Sequence, residues 1–265
     1  MTKLFGVSLA VLTAAATLTV VPAASASAAN CSYPADVLNL TNWKETLPIG
    51  SDEKPKEVTQ PDLATYSIDP WFKANSACDG VQFRAAVNGV TTSGSGYPRS
   101  ELREMTNNGS DTASWSATDG THTMTIDEAI TALPAEKPQV VAGQIHDASD
   151  DVTVFRLEGS KLYVTNGDTT HYKLVTDSYT LGTRFQAKFV ASGGEIKAYY
   201  NGTLEATLDN SSDGLYFKAG AYTQANCTNS SPCEDSNYGQ VIIYGLSHTA
   251  TADNRCHDAG SVRPN

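Results

Sequence analysis

The chain has 265 residues, of which 18% are charged, and its formal net charge is −11 at pH 7. We do not expect so acidic a chain to bind nucleic acid through its overall field, and it would repel a polyanionic ligand at long range. A binding site for an anionic ligand must therefore concentrate the few cations of the chain in one place.

Residues 1–29 have the pattern of a secretory signal peptide. Lys3 precedes an apolar run over residues 4–21, and the small residues 24–28 then offer two A-x-A cleavage registers. The apolar run is nearly long enough for a membrane anchor, but the small residues and the lack of a basic cluster after them favour cleavage. We therefore expect a secreted, extracellular protein in which residues 30–265 form one domain that has no contact with the membrane.

The pattern of polar and apolar residues is β almost throughout the chain. Short helical pieces are predicted at residues 34–40 and 69–74, and strands at residues 122–127, 152–157, 161–164, 195–200, 203–208 and 240–244. Asn201-Gly202, between two of these strands, favours a type I′ hairpin turn. Many short strands separated by turns predict an all-β fold, a β-sandwich jelly roll whose concave sheet offers a substrate cleft.

Residues 97–104 carry two arginines around a glutamate. In a strand, the period of two places Arg99, Glu101 and Arg103 on one face. Two guanidinium groups beside one carboxylate can hold each other in place while some donors stay free for a ligand carboxylate. A solvated, salt-bridged face explains this segment equally well.

Residues 143–147 place Gln144 and His146 on one face of a strand and Ile145 in the core. A single histidine is more often structural than catalytic. The paired amide shifts the interpretation towards function, because a glutamine can orient a carboxylate while the histidine transfers protons.

A third segment, residues 216–224, also alternates. One face of it holds Tyr216, Lys218, Gly220, Tyr222 and Gln224. We interpret the glycine as room for a sugar to approach the sheet. The simpler alternative is an amphipathic strand whose polar face is exposed to solvent. Two phenols, an ammonium and an amide on that face, however, suit a groove that binds sugar.

The five cysteines suit the disulfides of an exported protein: Cys31, Cys78, Cys227, Cys233 and Cys256. Cys227 and Cys233 flank a short polar loop and form the pair that we expect, whereas pairing of Cys31 with Cys78 stays a hypothesis that leaves one thiol over. The sequence contains no C-x-x-C, and its five histidines lack the spacing of metal ligands. We expect neither a metal ion nor another cofactor.

Together the three segments would line one face with Arg, Glu, Gln, His, Lys and Tyr, a set that fits β-elimination in a uronic-acid chain. The C5 proton of a uronate is only weakly acidic until the neighbouring carboxylate is neutralised, which Arg99 and Gln144 could do. A base must then remove that proton while an acid protonates the C4 oxygen, and His146 and Tyr222 are the available pair.

These segments resemble those of the alginate lyases of polysaccharide lyase family seven, which carry R-[ST]-E-L-R, Q-[IV]-H and Y-x-K-x-G-x-Y-x-Q in this order. Here they read Arg99–Arg103, Gln144–His146 and Tyr216–Gln224 without a departure, and residues 39–48 look like the start of that domain. The resemblance covers essentially the whole mature chain.

The resemblance implies a jelly roll that cleaves alginate in its cleft without a metal ion. It implies that Arg99 and Gln144 neutralise the substrate carboxylate and that Tyr222 protonates the leaving O4. His146 would take the C5 proton of guluronate, whereas Tyr222 would be both base and acid for mannuronate. The implied substrate-binding residues are Glu101, Arg103, Tyr216, Lys218 and Gln224. Isoleucine at position 145 is associated in the family with guluronate-containing blocks.

One alternative is a lyase that acts on mannuronate-rich or mixed blocks. Two other classes of protein, a glycoside hydrolase and a binding module without activity, are also considered. A glycoside hydrolase needs two carboxylates about 5–10 Å apart, and the E-x-D-x-x-E arrangement of jelly-roll hydrolases does not occur in the sequence. A non-catalytic polyuronate-binding module would favour exposed tryptophans, yet Trp43, Trp71 and Trp115 lie outside the three motifs. We therefore expect a monomeric, endolytic lyase that acts on alginate.

Overall fold

A computed structural model describes residues 31–252, and antiparallel strands make up most of that part of the chain. The strands are Trp43–Ser51 (β1), Lys54–Val58 (β2), Phe72–Ala74 (β3), Val81–Ala86 (β4), Arg99–Thr106 (β5), Asp111–Thr112 (β6), Thr121–Ala132 (β7), Gln139–His146 (β8), Asp151–Glu158 (β9), Lys161–Asn166 (β10), Thr169–Thr176 (β11), Phe185–Ser192 (β12), Glu195–Tyr200 (β13), Thr203–Asp209 (β14), Tyr216–Thr223 (β15) and Tyr238–Thr251 (β16). Short 3-10 helices lie at Pro34–Asp36, Asp62–Thr65 and Asn107–Gly109.

The strands form two sheets. The first has the order β11-β10-β9-β8-β15-β5-β1-β2, with β6 paired to β5, and the second has the order β14-β13-β12-β7-β16-β4-β3. Strands that are distant in the sequence therefore become neighbours, and β15 lies between β8 and β5 in the first sheet. This order brings the three sequence motifs onto adjacent strands.

The hydrophobic core lies between the two sheets. Leu102 of β5, Ile145 of β8 and Phe217 of β15 are fully buried, as the period of two in each strand requires. Phe155 of the first sheet packs against Phe189 of the second, with ring centroids 5.1 Å apart. Because these apolar side chains occupy the inner face of the first sheet, the alternate residues of β5, β8 and β15 project from its other face.

The predicted strands are confirmed, and the predicted β-sandwich with them. The turn between β13 and β14 has positive φ at both central residues, 48° at Asn201 and 80° at Gly202, as a type I′ turn requires. The predicted strands over residues 152–157 and 161–164 form a hairpin as β9 and β10.

The helical predictions are less accurate. The first piece is shorter than predicted, a 3-10 helix over Pro34–Asp36. The second, residues 69–74, is wrong, because Phe72–Ala74 forms strand β3 and pairs with β4. The Phe72 side chain is fully buried, and its ring centroid lies 5.2 Å from that of Phe83. Burial between the sheets therefore overrides the local helical pattern of residues 69–74.

Both hypothesised disulfides are present, Cys227–Cys233 and Cys31–Cys78. The second closes a loop of 47 residues and fastens the start of the described chain to the segment before β4. Cys256 and the signal-peptide prediction for residues 1–29 lie outside the described residues.

Gly220 has a structural role that differs from the one inferred from the sequence. Its φ is +144°, and a Cβ at this position would lie 2.5 Å from the carbonyl oxygen of Ser100 and 2.8 Å from the Cα of Glu101. The pairing of β15 with β8 shifts register in this stretch, between Ala219 and Tyr222. The glycine therefore permits close approach to β5 at a bulge, so the interpretation as room for a sugar is wrong.

Candidate active site

Strand pairing brings the three motifs together. On β15, Lys218 pairs with Arg103 of β5 and with Gln144 of β8. Tyr222 pairs with Arg99. Adjacent strands lie about 5 Å apart, so these side chains share one small area of the sheet.

A cavity of about 300 Å³ opens over this area. Its lining residues are Lys44, Thr46, Glu57, Thr92, Gly94, Ser95, Arg99, Arg103, Gln144, His146, Ser149, Asp150, Asp151, Tyr216, Lys218 and Tyr222. The lining includes four cations in a chain of net charge −11. The lining also includes three carboxylates, Glu57, Asp150 and Asp151. The positive charge that suits a polyanion therefore lies mainly on β5 and β15, with Arg99, Arg103 and Lys218.

Arg99 and Tyr222 are in direct contact. The guanidinium carbon of Arg99 lies 3.9 Å from the centroid of the Tyr222 ring. The Tyr222 hydroxyl lies 2.7 Å from the Ser95 hydroxyl, and either oxygen can donate that hydrogen bond. Ser95 belongs to the segment between β4 and β5, so two different parts of the chain fix the position of the tyrosine.

The surroundings of His146 determine its tautomer. Its Nδ1 lies 2.6 Å from the backbone carbonyl oxygen of Asp147, which can only accept a hydrogen bond. Nδ1 therefore carries the proton in the neutral ring and Nε2 is free to accept one. Burial lowers the pKa of His146, and the charges of Lys218 and Arg99 lower it further, so the ring is neutral at pH 7. Tyr216 stacks on the ring with centroids 5.3 Å apart.

Glu101 lies beneath the floor of the cleft rather than in its wall. Its side chain is fully buried and does not line the cavity, and its part in substrate binding stays a prediction. Its Oε2 lies 2.6 Å from Lys218 Nζ and 3.2 Å from Arg99 Nη1, and its Oε1 accepts a hydrogen bond from Gln144 Nε2. Glu101 shares a face with Arg99 and Arg103, as predicted, but the longer side chains cover it.

Two polar atoms of the cleft residues are buried and have no hydrogen-bond partner in residues 31–252. They are Oε1 of Gln144 and Nε of Arg99. Gln144 donates one N–H to Glu101, and its amide group carries a second N–H. Unpaired polar atoms next to a cavity are groups that a ligand can satisfy.

Lys218 is almost wholly buried. Burial lowers the pKa of its ammonium to about 8, and the carboxylate of Glu101 opposes that shift. The lysine is therefore charged at pH 7 because Glu101 lies beside it.

Arg103 and Gln224, two further residues expected to bind substrate, differ in whether they line the cavity. Arg103 lines the cavity, stacks over Tyr216 at 3.9 Å and donates 2.7 Å to the backbone oxygen of Glu104. Gln224 does not line the cavity, and its Oε1 accepts a hydrogen bond of 3.1 Å from Arg156. The part of Gln224 in substrate binding stays a prediction.

The sequence motifs missed the rim of the cavity. Lys44 lines it from β1 and forms an ion pair of 2.6 Å with Glu57. Asp150, in the turn between β8 and β9, and Asp151, the first residue of β9, also line it. Burial and the charge of Asp150 raise the pKa of Asp151 to about 6. The sequence could have indicated Lys44, because it lies two residues from Thr46 on β1 and both line the cavity. No pattern in the sequence indicates Asp150 or Asp151.

Residues 31–252 contain neither a cluster of metal-binding side chains nor a membrane-spanning helix. No three His, Cys, Asp or Glu side chains in this range lie together as metal ligands would. No helix in the same range is long and apolar enough to cross a membrane.

The chain is similar to several known proteins. A family profile described as alginate lyase matches residues 38–250. The crystal structure of the alginate lyase from Corynebacterium sp. is 65% identical, with a TM-score of 0.82 over 83% of this chain and 99% of that chain. Alginate lyase AlgAT5 from polysaccharide lyase family 7 is 51% identical, with a TM-score of 0.79 over the same shares. No curated protein matches the sequence.

The fold, the cation-lined cleft and these similarities define a polysaccharide lyase of the jelly-roll class. The chain belongs to the alginate lyases of polysaccharide lyase family 7, and alginate is its substrate. The predicted family, fold and enzyme class are confirmed. Alginate lyase A1-II', at 23% identity and a TM-score of 0.71, shares the fold.

Proposed function

We propose that this alginate lyase is secreted, cuts within the chain and prefers guluronate-containing blocks, releasing unsaturated uronate oligosaccharides. The observation that carries the proposal is that Arg99, Gln144, His146 and Tyr222 line one cavity. Arg99 and Gln144 both contact Glu101, and Tyr222 lies 3.9 Å from the guanidinium carbon of Arg99. We therefore expect one sugar ring to reach all four side chains. Elimination needs such a site, because carboxylate neutralisation and two proton transfers occur at adjacent atoms of the ring.

Arg99 and Gln144 neutralise the substrate carboxylate in this proposal. Removal of the C5 proton moves negative charge into the carboxylate, so donors placed beforehand stabilise the transition state more than the ground state. Arg99 Nη1 bonds to Glu101, and the guanidinium keeps other N–H groups for a ligand. The second N–H of Gln144 is the matching donor.

His146 and Tyr222 transfer the protons. Nε2 of the neutral His146 accepts the C5 proton of guluronate, and the Tyr222 hydroxyl donates its proton to O4 as the C4–O4 bond breaks. The electron pair of the C5–H bond forms the C4–C5 double bond of the product. Solvent then returns a proton to the Tyr222 phenolate and accepts one from the His146 imidazolium, and the Ser95 hydroxyl can relay the proton to Tyr222 through their 2.7 Å contact.

Lys218, Arg103 and Tyr216 bind the sugars that flank the reacting ring in this proposal. Lys44 extends the same row, because it pairs with Arg103 across β1 and β5. Cations on neighbouring strands are suited to the repeated carboxylates of a polyuronate. A cleft that binds several residues of the polymer favours cutting within the chain.

Secretion is supported by the signal-peptide pattern of residues 1–29 and by two disulfides in the folded domain. The guluronate preference rests on the Gln-Ile-His motif. Ile145 is fully buried in the core and cannot touch a sugar. Its side chain can act only by setting the positions of Gln144 and His146 on either side of it.

The test is product analysis on three substrates: homopolymeric guluronate, homopolymeric mannuronate and alternating blocks. We expect the fastest rise of ultraviolet absorbance on guluronate-containing blocks and mixed oligosaccharides as early products. Faster cleavage of polymannuronate would overturn the preference, and early release of a single small product would overturn the endolytic mode.

A further inference from the structure

We propose that Glu101 is a positioning residue, whose one buried carboxylate holds three side chains that line the cleft. The inference rests on the proposed roles of Arg99, Gln144 and His146. It assigns the glutamate of the Arg-Ser-Glu-Leu-Arg motif to the support of the cleft floor instead of to contact with sugar.

The contacts of Glu101 carry the argument. One oxygen accepts from Gln144 Nε2, and the other lies 2.6 Å from Lys218 Nζ and 3.2 Å from Arg99 Nη1. These partners come from β8, β15 and β5, so the carboxylate links all three motif strands at one point. A carboxylate with both oxygens bonded fixes the direction in which each partner presents its remaining donors.

Charge balance gives Glu101 a second effect. An ammonium group as buried as that of Lys218 loses its proton easily unless an anion lies beside it. The other titratable or charged groups around Lys218 are Arg99, Arg103, His146, Glu45, Tyr216 and Tyr222. Burial raises the pKa of Glu45 well above its ordinary value, and that carboxyl accepts a hydrogen bond from Ser100. Glu101 is the carboxylate that contacts Lys218 and Arg99 directly, and it balances their charge.

Glu101→Gln removes this anion while its shape is nearly kept. The pKa of Lys218, about 8 in the wild type, then falls because the opposing effect of Glu101 is lost. The pKa of His146 also falls, since the charge of Glu101 raises it. Both limbs of the pH–activity profile therefore move to lower pH, whereas a purely structural defect lowers the profile without moving it.

The experiment compares three variants on alginate across the pH range. For Glu101→Gln we expect kcat/KM at least tenfold lower at pH 8 and an alkaline limb moved down by one pH unit or more. Glu101→Asp keeps the negative charge, so the alkaline limb of its pH–activity profile should stay at the wild-type pH. Its side chain is too short to reach all three partners, so kcat should fall. Glu104→Gln is the matched control on the same strand. It keeps an oxygen for Trp115 Nε1 and the Phe217 amide, and its limbs stay at wild-type positions.

An NMR titration of Lys218 gives a readout without substrate. Its side-chain signal, assigned by its loss in Lys218→Met, should titrate at lower pH in Glu101→Gln than in the wild type. Wild-type limbs and an unchanged Lys218 titration in Glu101→Gln would overturn the inference. If Glu101→Gln does not fold, the kcat of Glu101→Asp tests the positioning role instead. A kcat equal to that of the wild type in Glu101→Asp would overturn that role. Failure of the proposed catalytic roles shows separately, as activity retained by Tyr222→Phe with Glu101 intact.

Discussion

Arg99 lies over the aromatic ring of Tyr222, with 3.9 Å between the guanidinium carbon and the ring centroid. The two residues pair across β5 and β15, so the sheet itself sets their separation. The group proposed to neutralise the carboxylate thereby lies beside the group proposed to protonate O4. Placement on strands gives this pair a more rigid geometry than loops would.

The pH dependence of cleavage should report His146. The base must be unprotonated, and burial lowers the pKa of His146 below its ordinary value of 6.5. The acid limb of activity on polyguluronate should therefore lie at a lower pH than an ordinary histidine would give. The measurement is kcat/KM against pH. A half-maximal acid limb at pH 7 or above would contradict the assignment.

Ser95→Ala should lower kcat about fivefold with little change in KM, since one hydrogen bond contributes about 1 kcal/mol. The variant removes the 2.7 Å contact with the Tyr222 hydroxyl and leaves the ring under Arg99. Steady-state kinetics on alginate measure the effect. Ser178→Ala, at an exposed serine away from the cavity, is the control. Equal kinetics for Ser95→Ala and the control would show that Ser95 does not hold the tyrosine.

Lys44→Met should raise KM for the polymer several-fold and leave kcat nearly unchanged. Lys44 lines the cavity away from the Arg99–Tyr222 pair and offers charge to a flanking carboxylate. The difference between variant and wild type should shrink as salt is added, because salt screens charge. Lys161→Met, at an exposed lysine of β10, is the matched control. A drop in kcat alone would contradict a binding role.

Glu128 should make the protein less stable as the pH rises. Its carboxyl is fully buried, and neither oxygen has a hydrogen-bond partner within the described chain. Burial raises its pKa from 4.5 to about 8. The unfolded chain releases the proton near pH 4.5 and the folded one near pH 8, so stability falls across this window.

Glu128→Gln removes the ionisation and should abolish that decline. Urea unfolding at pH 5 and pH 8 measures the effect. We expect a gain over the wild type of a few kcal/mol at pH 8, with a smaller difference at pH 5, on the order of 1 kcal/mol per unit of pKa shift. Glu195→Gln, at a surface position of β13, is the control. A variant no more stable than the wild type at pH 8 would contradict the account.

Much of the site follows from the sequence, because the period of two in a strand assigns each side chain to a face. Arg99 and Arg103, Gln144 and His146 share faces as predicted. The face on which a side chain lies does not determine how exposed it is, however. Glu101 is fully buried beneath the longer side chains on the same face. The alternation thus identified the motif surface but not which of its members a ligand can reach.

The features that the sequence did not reveal come from contacts between distant parts of the chain. No local pattern tells that Ser95 reaches Tyr222, 127 residues further on. Gln224 follows the last residue of β15, where pairing with Arg156 of β9 decides its orientation. Gly220 appeared to face the sugar, yet its backbone must fit against β5. Strand order and bulges control all three.

Cleavage by Tyr222→Phe tests the central claim most directly. The phenylalanine keeps the ring against Arg99 and removes only the hydroxyl that donates the proton to O4. We expect the rate of ultraviolet absorbance increase on alginate to fall by about 100-fold or more, as loss of a general acid does, with an unchanged unfolding midpoint. A folded Tyr222→Phe variant that forms unsaturated product at the wild-type rate would contradict the mechanism.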